Sequence, residues 1–202
     1  MEDLNTEDKI VNAAEAEFIE RGYSGARMQA IADKAGINKA LLHYYFRSKE
    51  KLFEVIFKLA IKMLIPKFIG IITSPETDFF DKIRYFVKEY ITVVMKNPHI
   101  PGFIIHELNS NNSSLINVIS DLNLNLSPVY KMIQEEIDEG RIKPIRPENL
   151  ILNIVSMSIF PIEASPIIKA IFFKGNQKQY LELIEQRKEE VAEFIINSIR
   201  IK

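Results

Sequence analysis

Cysteine is absent from this chain of 202 residues, so neither a disulfide framework nor thiolate chemistry is available to it. Glycine is scarce, and its seven residues are scattered without forming a glycine-rich phosphate loop or a Gly-x-Ser-x-Gly nucleophile turn. Only three histidines occur, and His99 and His106 lack the i, i+4 spacing of a helical zinc site. We therefore expect a protein that is not an enzyme and that carries no metal and no cofactor.

Long apolar runs are also missing. The richest segment, residues 55–72, contains Lys58, Lys62 and Lys67, so it falls short of the roughly 20 apolar residues that a membrane-spanning helix needs. The N-terminal sequence MEDLNTEDK is acidic and has no apolar core of a secretory signal. Because 47% of the residues are hydrophobic, the chain can still bury a real core. We expect a cytoplasmic protein that does not enter a membrane.

Helical periodicity runs along most of the chain, as Ile10, Ala14 and Phe18 illustrate, and β-hairpin turn signals are missing. The sequence therefore predicts an all-α fold. A fourth helix is expected to begin after Ser48 and to end near Leu64, before a proline. The expected helices cover about residues 6–21, 28–35, 39–45, 49–64, 78–96, 102–108, 115–139, 147–162, 166–173 and 180–201.

The segment MQAIADKAGINKALLHYYF, residues 28–46, is typical of two short helices joined by a sharp turn at Gly36. Glycine adopts a positive φ there without steric cost, and Asn38 is a good N-cap for the second helix. Small and apolar residues let the two helices cross steeply, and we expect Leu42 and Tyr45 in their shared core. These features indicate a helix-turn-helix, whose second helix enters the DNA major groove.

The wider segment from Gly22 to Leu52 resembles the N-terminal domain of the TetR family of transcriptional regulators. The segment differs from the usual residues of that family at Arg27, Leu41 and His43. These differences affect which operator sequence the protein reads, and they do not affect the expectation that it binds DNA. The resemblance implies a helix-turn-helix domain, a C-terminal effector pocket and a dimer closed by helices of both subunits. It rests on an array at fixed spacing: Gly22-Tyr23, Ile31-Ala32, Ala35-Gly36-Ile37, Tyr45-Phe46 and Ser48-Lys49-Glu50-Lys51-Leu52.

The net charge of −1 does not indicate a nucleic-acid partner, but the local charge distribution does. Residues 34–51 carry five basic side chains against Glu50 alone, whereas residues 1–33 carry three basic and eight acidic side chains. Basic clustering by itself would indicate an ordinary solvated face. Its coincidence with the helical hairpin favours a surface that meets DNA phosphates.

DNA contacts are expected from the exposed side of the second hairpin helix and its surroundings. Asparagine and lysine can bond base edges or phosphates, histidine and tyrosine can bond phosphate oxygens, and alanine permits close approach to a thymine methyl. Tyr44 is also open to interpretation as an aromatic residue of a domain interface. The predicted DNA-binding residues are Asn38, Lys39, Ala40, His43 and Tyr44, to which the resemblance adds Arg27, Gln29 and Lys49.

Two apolar stripes towards the C-terminus suit helix association. Amphipathic helices do not show what covers them, so burial within one subunit is an equal alternative from the pattern alone. The need for a symmetric reader of a palindrome favours a homodimer closed by a four-helix bundle. The predicted interface residues are Leu150, Ile154, Met157, Ile184, Val191 and Ile195.

An effector cavity in the C-terminal region is a second hypothesis. Apolar walls with a few polar groups are typical of small-molecule pockets and equally of a solid helical core, which the residues alone favour. The resemblance, however, implies a pocket there. Because no cluster of arginine or lysine offers to receive phosphate, the expected effector is a small apolar or aromatic molecule. The candidate lining residues are Phe86, Tyr90, Phe103, His106, Asn109 and Asn153.

The sequence thus predicts an all-α transcriptional regulator with a helix-turn-helix domain over residues 1–48 and a helical effector-binding and dimerisation domain over residues 49–202. We expect a ligand-responsive repressor that binds a palindromic double-stranded operator as a dimer. The alternative is a helical adaptor that holds a protein partner through its C-terminal bundle and binds DNA weakly or not at all. A mobility shift with genomic DNA fragments discriminates between the two.

Overall fold

A computed structural model of the chain describes residues 5–74, 76–97, 100–101, 120 and 125–201. Within these ranges the chain forms nine helices and no strand, so the all-α expectation is confirmed. A single antiparallel bridge joins Ile142 to Arg200. The helices are α1 (Thr6–Gly25), α2 (Met28–Ala35), α3 (Lys39–Tyr45), α4 (Lys49–Thr73), α5 (Phe79–Lys96), α6 (Ser127–Asp138), α7 (Pro147–Glu163), α8 (Ser165–Phe173) and α9 (Gln177–Ile199).

Tertiary packing divides the chain into two compact units. The first comprises the described residues of Met1–Ile65 and Asn97–Asn123, and the second those of Pro66–Lys96 and Leu124–Lys202. Helix α4 therefore contributes its beginning to one unit and its end to the other. The core of the first unit continues past residue 48 as far as Phe57, so the first turns of α4 pack with the helical hairpin.

Helix α1 forms one wall of the first unit. Its N-terminus is capped by Asn5, whose Oδ1 accepts a hydrogen bond from the Asp8 amide at 2.9 Å. The predicted stripe is confirmed, because Ile10, Ala14 and Phe18 are fully buried. The regular helix is interrupted at Gly22, which has φ +67° and ψ 171°, so the expected end of the helix near residue 21 corresponds to a kink.

Helices α2 and α3 form the predicted hairpin. Gly36 adopts φ +70°, and the Asn38 side chain caps α3 by accepting a hydrogen bond from the Leu41 amide at 2.8 Å. Ile31 and Leu42 are fully buried between the helices. The expectation that Tyr45 also lies in this core is wrong, since it is 41% exposed.

Phe46 takes the core position that we expected for Tyr45. Helix α3 ends at Tyr45, and the backbone of Phe46 is extended, with φ −131° and ψ 99°. This change of direction turns the Phe46 side chain inward, where it is 5% exposed. Helical spacing could not indicate that Phe46 replaces Tyr45 in the core, because the residue at which a short helix ends depends on the packing around it.

Helix α4 begins as predicted but ends later. The Ser48 hydroxyl accepts a hydrogen bond from the Lys51 amide at 3.2 Å, as an N-cap does. The expected end near Leu64 is wrong, because the helix continues through Pro66 to Thr73. Proline removes one backbone hydrogen bond and strains the preceding turn, but a long helix with an apolar sequence can continue past it with a kink.

Helices α5, α6, α7 and α9 supply the core of the second unit. Helices α7 and α9 run in opposite directions, since the Tyr180 hydroxyl donates to the Pro161 carbonyl at 3.2 Å and Arg187 Nη2 donates to the Met157 carbonyl at 2.7 Å. In the part of the chain that the structure describes, no single helix is long and apolar enough to cross a membrane; α7 and α8 meet that test only together, across a bend of 71°.

Replacing Gly36 by alanine is expected to lower the free energy of unfolding by about 1 kcal/mol, because a side chain strains the positive φ. No atom lies within 4 Å of the position that a new Cβ would occupy, so the effect isolates backbone strain from collision. Urea denaturation measures it. Gly70→Ala in α4 is the control: its site is also open, its φ is not positive, and we expect a small gain in stability. Equal effects of the two substitutions would contradict the role of Gly36.

Candidate nucleic-acid interface

The outer side of α3 brings together most of the residues predicted to contact DNA. Lys39, Ala40, His43 and Tyr44 are all exposed, and the Tyr44 side chain is 81% exposed. Leu42 faces the opposite way, into the hairpin core. Because α3 begins with a capped first turn and is anchored along its inner side, its outer side is a rigid polar surface of the size that enters a major groove.

Asn38 has one polar group engaged by the fold and one directed outward. Its Oδ1 accepts the hydrogen bond that caps α3, so the side-chain oxygen serves the helix. The side chain is exposed, and its amide NH₂ group can donate to a base edge or a phosphate oxygen. This residue therefore combines a structural role with a possible DNA contact.

His43 has a hydrogen bond that fixes which ring nitrogen carries a proton. Its Nδ1 lies 3.2 Å from the Arg47 carbonyl oxygen. A carbonyl only accepts, so Nδ1 must donate, and in the neutral ring Nε2 is then an acceptor. We had expected His43 to bond a phosphate oxygen. The neutral ring instead suits a donor, such as the amino group of adenine or cytosine in the major groove.

The N-terminus of α2 contributes two further predicted residues. Arg27 occupies the N-cap position, is exposed, and makes no side-chain hydrogen bond to the helix end. Its guanidinium is therefore available to an anion beside the hairpin. Gln29 is also exposed, but its Nε2 donates to Asp33 Oδ1 one turn along the helix at 2.8 Å, so only part of its amide is open to DNA.

Lys34 belongs to the basic segment but faces its own helices. Its Nζ lies 2.7 Å from Glu17 Oε2 and 2.6 Å from Glu20 Oε2, and the Glu17 side chain is only 1% exposed. Hydrogen bonds to Glu17 and Glu20 raise the pKa of Lys34, and the same contact lowers the pKa of Glu20. These ion pairs connect α2 to α1. They also neutralise the charge of Lys34, one of the basic side chains expected to face DNA phosphates.

Lys49 and Lys51 are also engaged within the protein. Lys49 Nζ donates to the carbonyl oxygens of Tyr23 at 2.9 Å and Ala26 at 3.3 Å, and lies 4.5 Å from the centre of the Tyr23 ring. Lys51 pairs with Glu54 at 2.8 Å. The structure therefore gives Lys49 a contact different from the phosphate contact that we expected.

Three cations remain on the outer surface of the hairpin. Arg27, Lys39 and Arg47 are exposed, and within the described residues none of them has a carboxylate within 4 Å. Sequence reasoning did not select Arg47, although the residue was one of the five basic side chains in the segment. The cationic surface is thus narrower than the sequence indicated, and it surrounds the outer side of α3.

A joint of three aromatic rings holds the beginning of α4 against the end of α1. The Phe53 ring lies edge-on to Phe18 and Tyr23, with centroid distances of 4.9 and 5.4 Å. The Tyr23 hydroxyl donates to Glu50 Oε1 at 3.0 Å. Burial by itself would raise the pKa of Glu50, but its own backbone amide, the Ser48 and Tyr23 hydroxyls and the adjacent Lys49 together lower it.

The second unit contains an apolar cavity of about 150 Å³ between α5, α6 and α7. Of the six predicted effector residues, Phe86 lines it. Tyr90 stacks on Phe86 at 5.8 Å, outside the lining, and burial raises the pKa of its hydroxyl. Asn153 is exposed on α7, so it does not face the cavity. The other three predicted residues, Phe103, His106 and Asn109, lie outside the described residues. The lining residues are Phe79, Lys82, Ile83, Phe86, Leu126, Val129, Met132, Ile133, Leu150, Ile151 and Ile154.

The apolar stripes predicted for a dimer interface lie inside the protomer. They contact the core that α5 contributes, and a residue buried in its own subunit cannot form the surface of an interface. Met157 is half-buried and alone of the six borders the surface. The pattern could not reveal this because an apolar stripe does not show whether its cover comes from the same subunit or from a second one. The fully packed residues are Leu150, Ile154, Ile184, Val191 and Ile195, each at most 8% exposed.

A different set of apolar side chains is exposed on α7, α8 and α9. Phe160, Ile171, Phe172 and Phe194 are each between 64% and 71% exposed, and Leu152 is 62% exposed. We name these five residues the apolar face. Exposed apolar side chains of this size on α7, α8 and α9 make the apolar face a candidate interaction surface.

Comparisons with known proteins match the hairpin and the whole fold. Residues 10–56 match the family described as bacterial regulatory proteins, tetR family. The chain is 30% identical over 151 residues to IcaR, the negative transcriptional regulator of the biofilm operon icaADBC in Staphylococcus aureus (72% of this chain, 77% of IcaR). It is 24% identical over 194 residues to the Escherichia coli regulator RutR (95% and 89%). The crystal structure of Bacillus subtilis FadR with stearoyl-CoA has the same fold, with a TM-score of 0.68 and 18% identity (95% and 98%).

The division between outward and internal cations predicts opposite effects for two lysines. Lys39→Ala is expected to reduce the slope of the logarithm of the duplex-binding constant against the logarithm of the salt concentration by about one, because one phosphate contact is lost. The free energy of unfolding is expected to stay the same. Lys34→Ala is expected to leave the salt dependence unchanged but to destabilise the fold, because it leaves the buried Glu17 carboxylate without its closest cation. Fluorescence anisotropy with a mixed-sequence duplex between 50 and 200 mM salt, together with urea denaturation, measures both. A smaller salt slope for Lys34→Ala than for Lys39→Ala would contradict this division.

Proposed function

The chain belongs to the TetR family of bacterial transcriptional regulators, and we propose that it is a ligand-responsive repressor that binds a palindromic operator as a homodimer in the cytoplasm. It is a DNA-binding regulator and not an enzyme. The alternative of a helical adaptor with little or no DNA binding therefore loses its basis. Repression is supported by the similarity to IcaR, which is a negative regulator.

The observation that carries the proposal is the outer side of α3, a rigid polar surface flanked by cations that no carboxylate of the described residues neutralises. Arg27, Lys39 and Arg47 are placed to contact phosphates and so to set the position of the hairpin on the duplex. Their charges also favour close approach to DNA, although the whole chain is slightly acidic.

Sequence preference would come from the middle of α3. We assign base-edge contacts to the amide of Asn38 and to Nε2 of His43, and close approach to a thymine methyl to Ala40. Tyr44, which is 81% exposed, is assigned to a phosphate or sugar contact, and Gln29 to a contact beside it. Lys49 is assigned a positioning role at the joint with Tyr23 rather than a phosphate contact.

The apolar face supports a dimer. Helices α7 and α9 run in opposite directions, and a two-fold axis through their exposed side would bring the same pair from a second copy against them as a four-helix bundle. The face that would close it is the one defined by Leu152, Phe160, Ile171, Phe172 and Phe194. Such a dimer presents two hairpins, as a palindromic site requires.

Regulation by a ligand would require two conformations that bind DNA differently. We propose that the first 48 residues read DNA and that the remainder binds the effector and the second subunit. An effector shifts the equilibrium only if it binds the DNA-incompetent conformation more tightly. Support for an effector site is the cavity beside Phe86, and α4 is the one described helix shared by both units. An apolar compound in that cavity is the expected ligand class.

Selection from a random duplex library tests the operator. We expect a palindrome whose half-site centres are separated by about 34 Å, one helical turn, or by a multiple of it. His43→Ala is expected to relax the preference at one position of each half-site, whereas Lys39→Ala weakens binding to all sequences alike. Enrichment of asymmetric sites, or of none, would contradict the proposed mode of binding.

The apolar face predicts the effect of one charged substitution on assembly. Phe194→Glu is expected to convert a dimer into monomers, because a carboxylate on the apolar face would lose its hydration in the interface without gaining a partner. Sedimentation velocity at micromolar concentration measures the change. Tyr85→Glu is the matched control, since Tyr85 is an exposed aromatic residue of α5 outside the face. A wild-type protein that sediments as a monomer would refute the dimer.

A further inference from the structure

The cavity between α5, α6 and α7 has one charged residue among otherwise apolar walls. Ten of its eleven lining residues are apolar, and the remaining one is Lys82. Its volume of about 150 Å³ is similar to that of apolar cavities that accept a benzene-sized group. The walls therefore suit a short alkyl chain or a small ring. The charge of Lys82 determines which polar group at the end of such a molecule is bound favourably.

Among the residues that the structure describes, the ammonium group of Lys82 has no anionic partner. Its polar contact is the Met132 thioether, with Nζ and Sδ 3.8 Å apart, and sulfur of this kind is only a weak acceptor. Within the described residues no carboxylate lies within 4 Å of it. A half-buried cation that meets only a thioether lacks the hydrogen bonds that normally compensate its lost hydration.

The position of Lys82 on its helix adds to the local positive potential. It lies in the first turn of α5, where the backbone dipoles favour an anion and disfavour a cation. The acidic residues beside it are engaged elsewhere, because Asp78 Oδ2 accepts a hydrogen bond from the Phe80 amide at 2.9 Å and Asp81 pairs with Arg84 at 2.7 Å. The cavity therefore combines apolar walls with an uncompensated positive charge.

We propose that this cavity binds a small amphiphilic monoanion, a carboxylate on a short aliphatic or aromatic body, with its carboxylate on Lys82 and its apolar body between α5, α6 and α7. The inference rests on the proposed ligand response, and it replaces a neutral apolar effector by an acidic one. A single lysine with no arginine beside it fits one carboxylate better than a phosphate, which usually takes several cationic donors.

Three octyl compounds that differ only in their polar end test the inference directly. Calorimetric titration of the protein without DNA is expected to rank octanoate above 1-octanol and octylammonium last. Lys82→Met is expected to weaken octanoate binding about tenfold, as the loss of a charged hydrogen bond does, and to change octanol binding by less than about twofold. Lys82→Arg is expected to keep the preference for octanoate, because it keeps the charge.

Lys88→Met is the matched control, since Lys88 is an exposed lysine of the same helix outside this cavity. Ile151→Phe narrows the cavity and is expected to weaken the binding of all three ligands. Such a result would show that they bind in this cavity. Equal affinity for octanoate and octanol in the wild type, tighter binding of octylammonium, or no binding of any compound at millimolar concentration would overturn the inference. The ranking in the wild type decides the matter even if a variant does not fold.

The two proposals fail separately. Operator selection is done without ligand, so a protein that finds a palindrome but ignores octanoate refutes the carboxylate site and leaves the repressor standing. A protein that binds octanoate through Lys82 but selects no operator refutes the repressor and leaves the site standing.

Discussion

The orientation of the DNA-reading hairpin depends on the joint around Tyr23. Its ring packs with Phe18 and Phe53, its hydroxyl bonds to Glu50, and its carbonyl receives the ammonium of Lys49. The last carbonyls of a helix have no partner within it, and Lys49 of α4 donates to the carbonyl of Tyr23 in the last turn of α1 and to that of Ala26, the C-cap residue. One side chain thereby couples the end of α1 to the beginning of α4, and the hairpin is held between these two helices.

The parts of the fold that local chemistry determines could be predicted from the sequence. The positive φ at Gly36 and the caps at Asn38 and Ser48 each depend on a few neighbouring residues, and all three occur as expected. Local rules fail where tertiary packing overrides them. Pro66 does not end α4, and Phe46 rather than Tyr45 enters the core. At Phe46 the competing term is the burial of an aromatic ring, which the local sequence does not reveal.

The functional residues were harder to predict because most depend on contacts distant in sequence. A count of basic residues could not show that Lys34 pairs with Glu17 on another helix, or that Lys49 donates to a backbone carbonyl in the last turn of α1. A stripe such as Ile184 and Ile195 could not show whether its cover comes from the same subunit or from a second one. Likewise the sequence pattern indicated Phe86 as a residue of the cavity, but it did not distinguish Lys82 from the other lysines of the chain. The sequence pattern shows which side of a helix is apolar. Only the tertiary structure shows which residues cover that side.

The small number of outward cations has a consequence for how the regulator searches the genome. The chain offers Arg27, Lys39 and Arg47, while three other basic residues of the hairpin region are engaged internally. Affinity for arbitrary DNA grows with the number of neutralised phosphates, so a protein with few such contacts is retained weakly at the millions of competing sites on a chromosome. Fewer copies are then needed to occupy an operator, because fewer of them are held elsewhere.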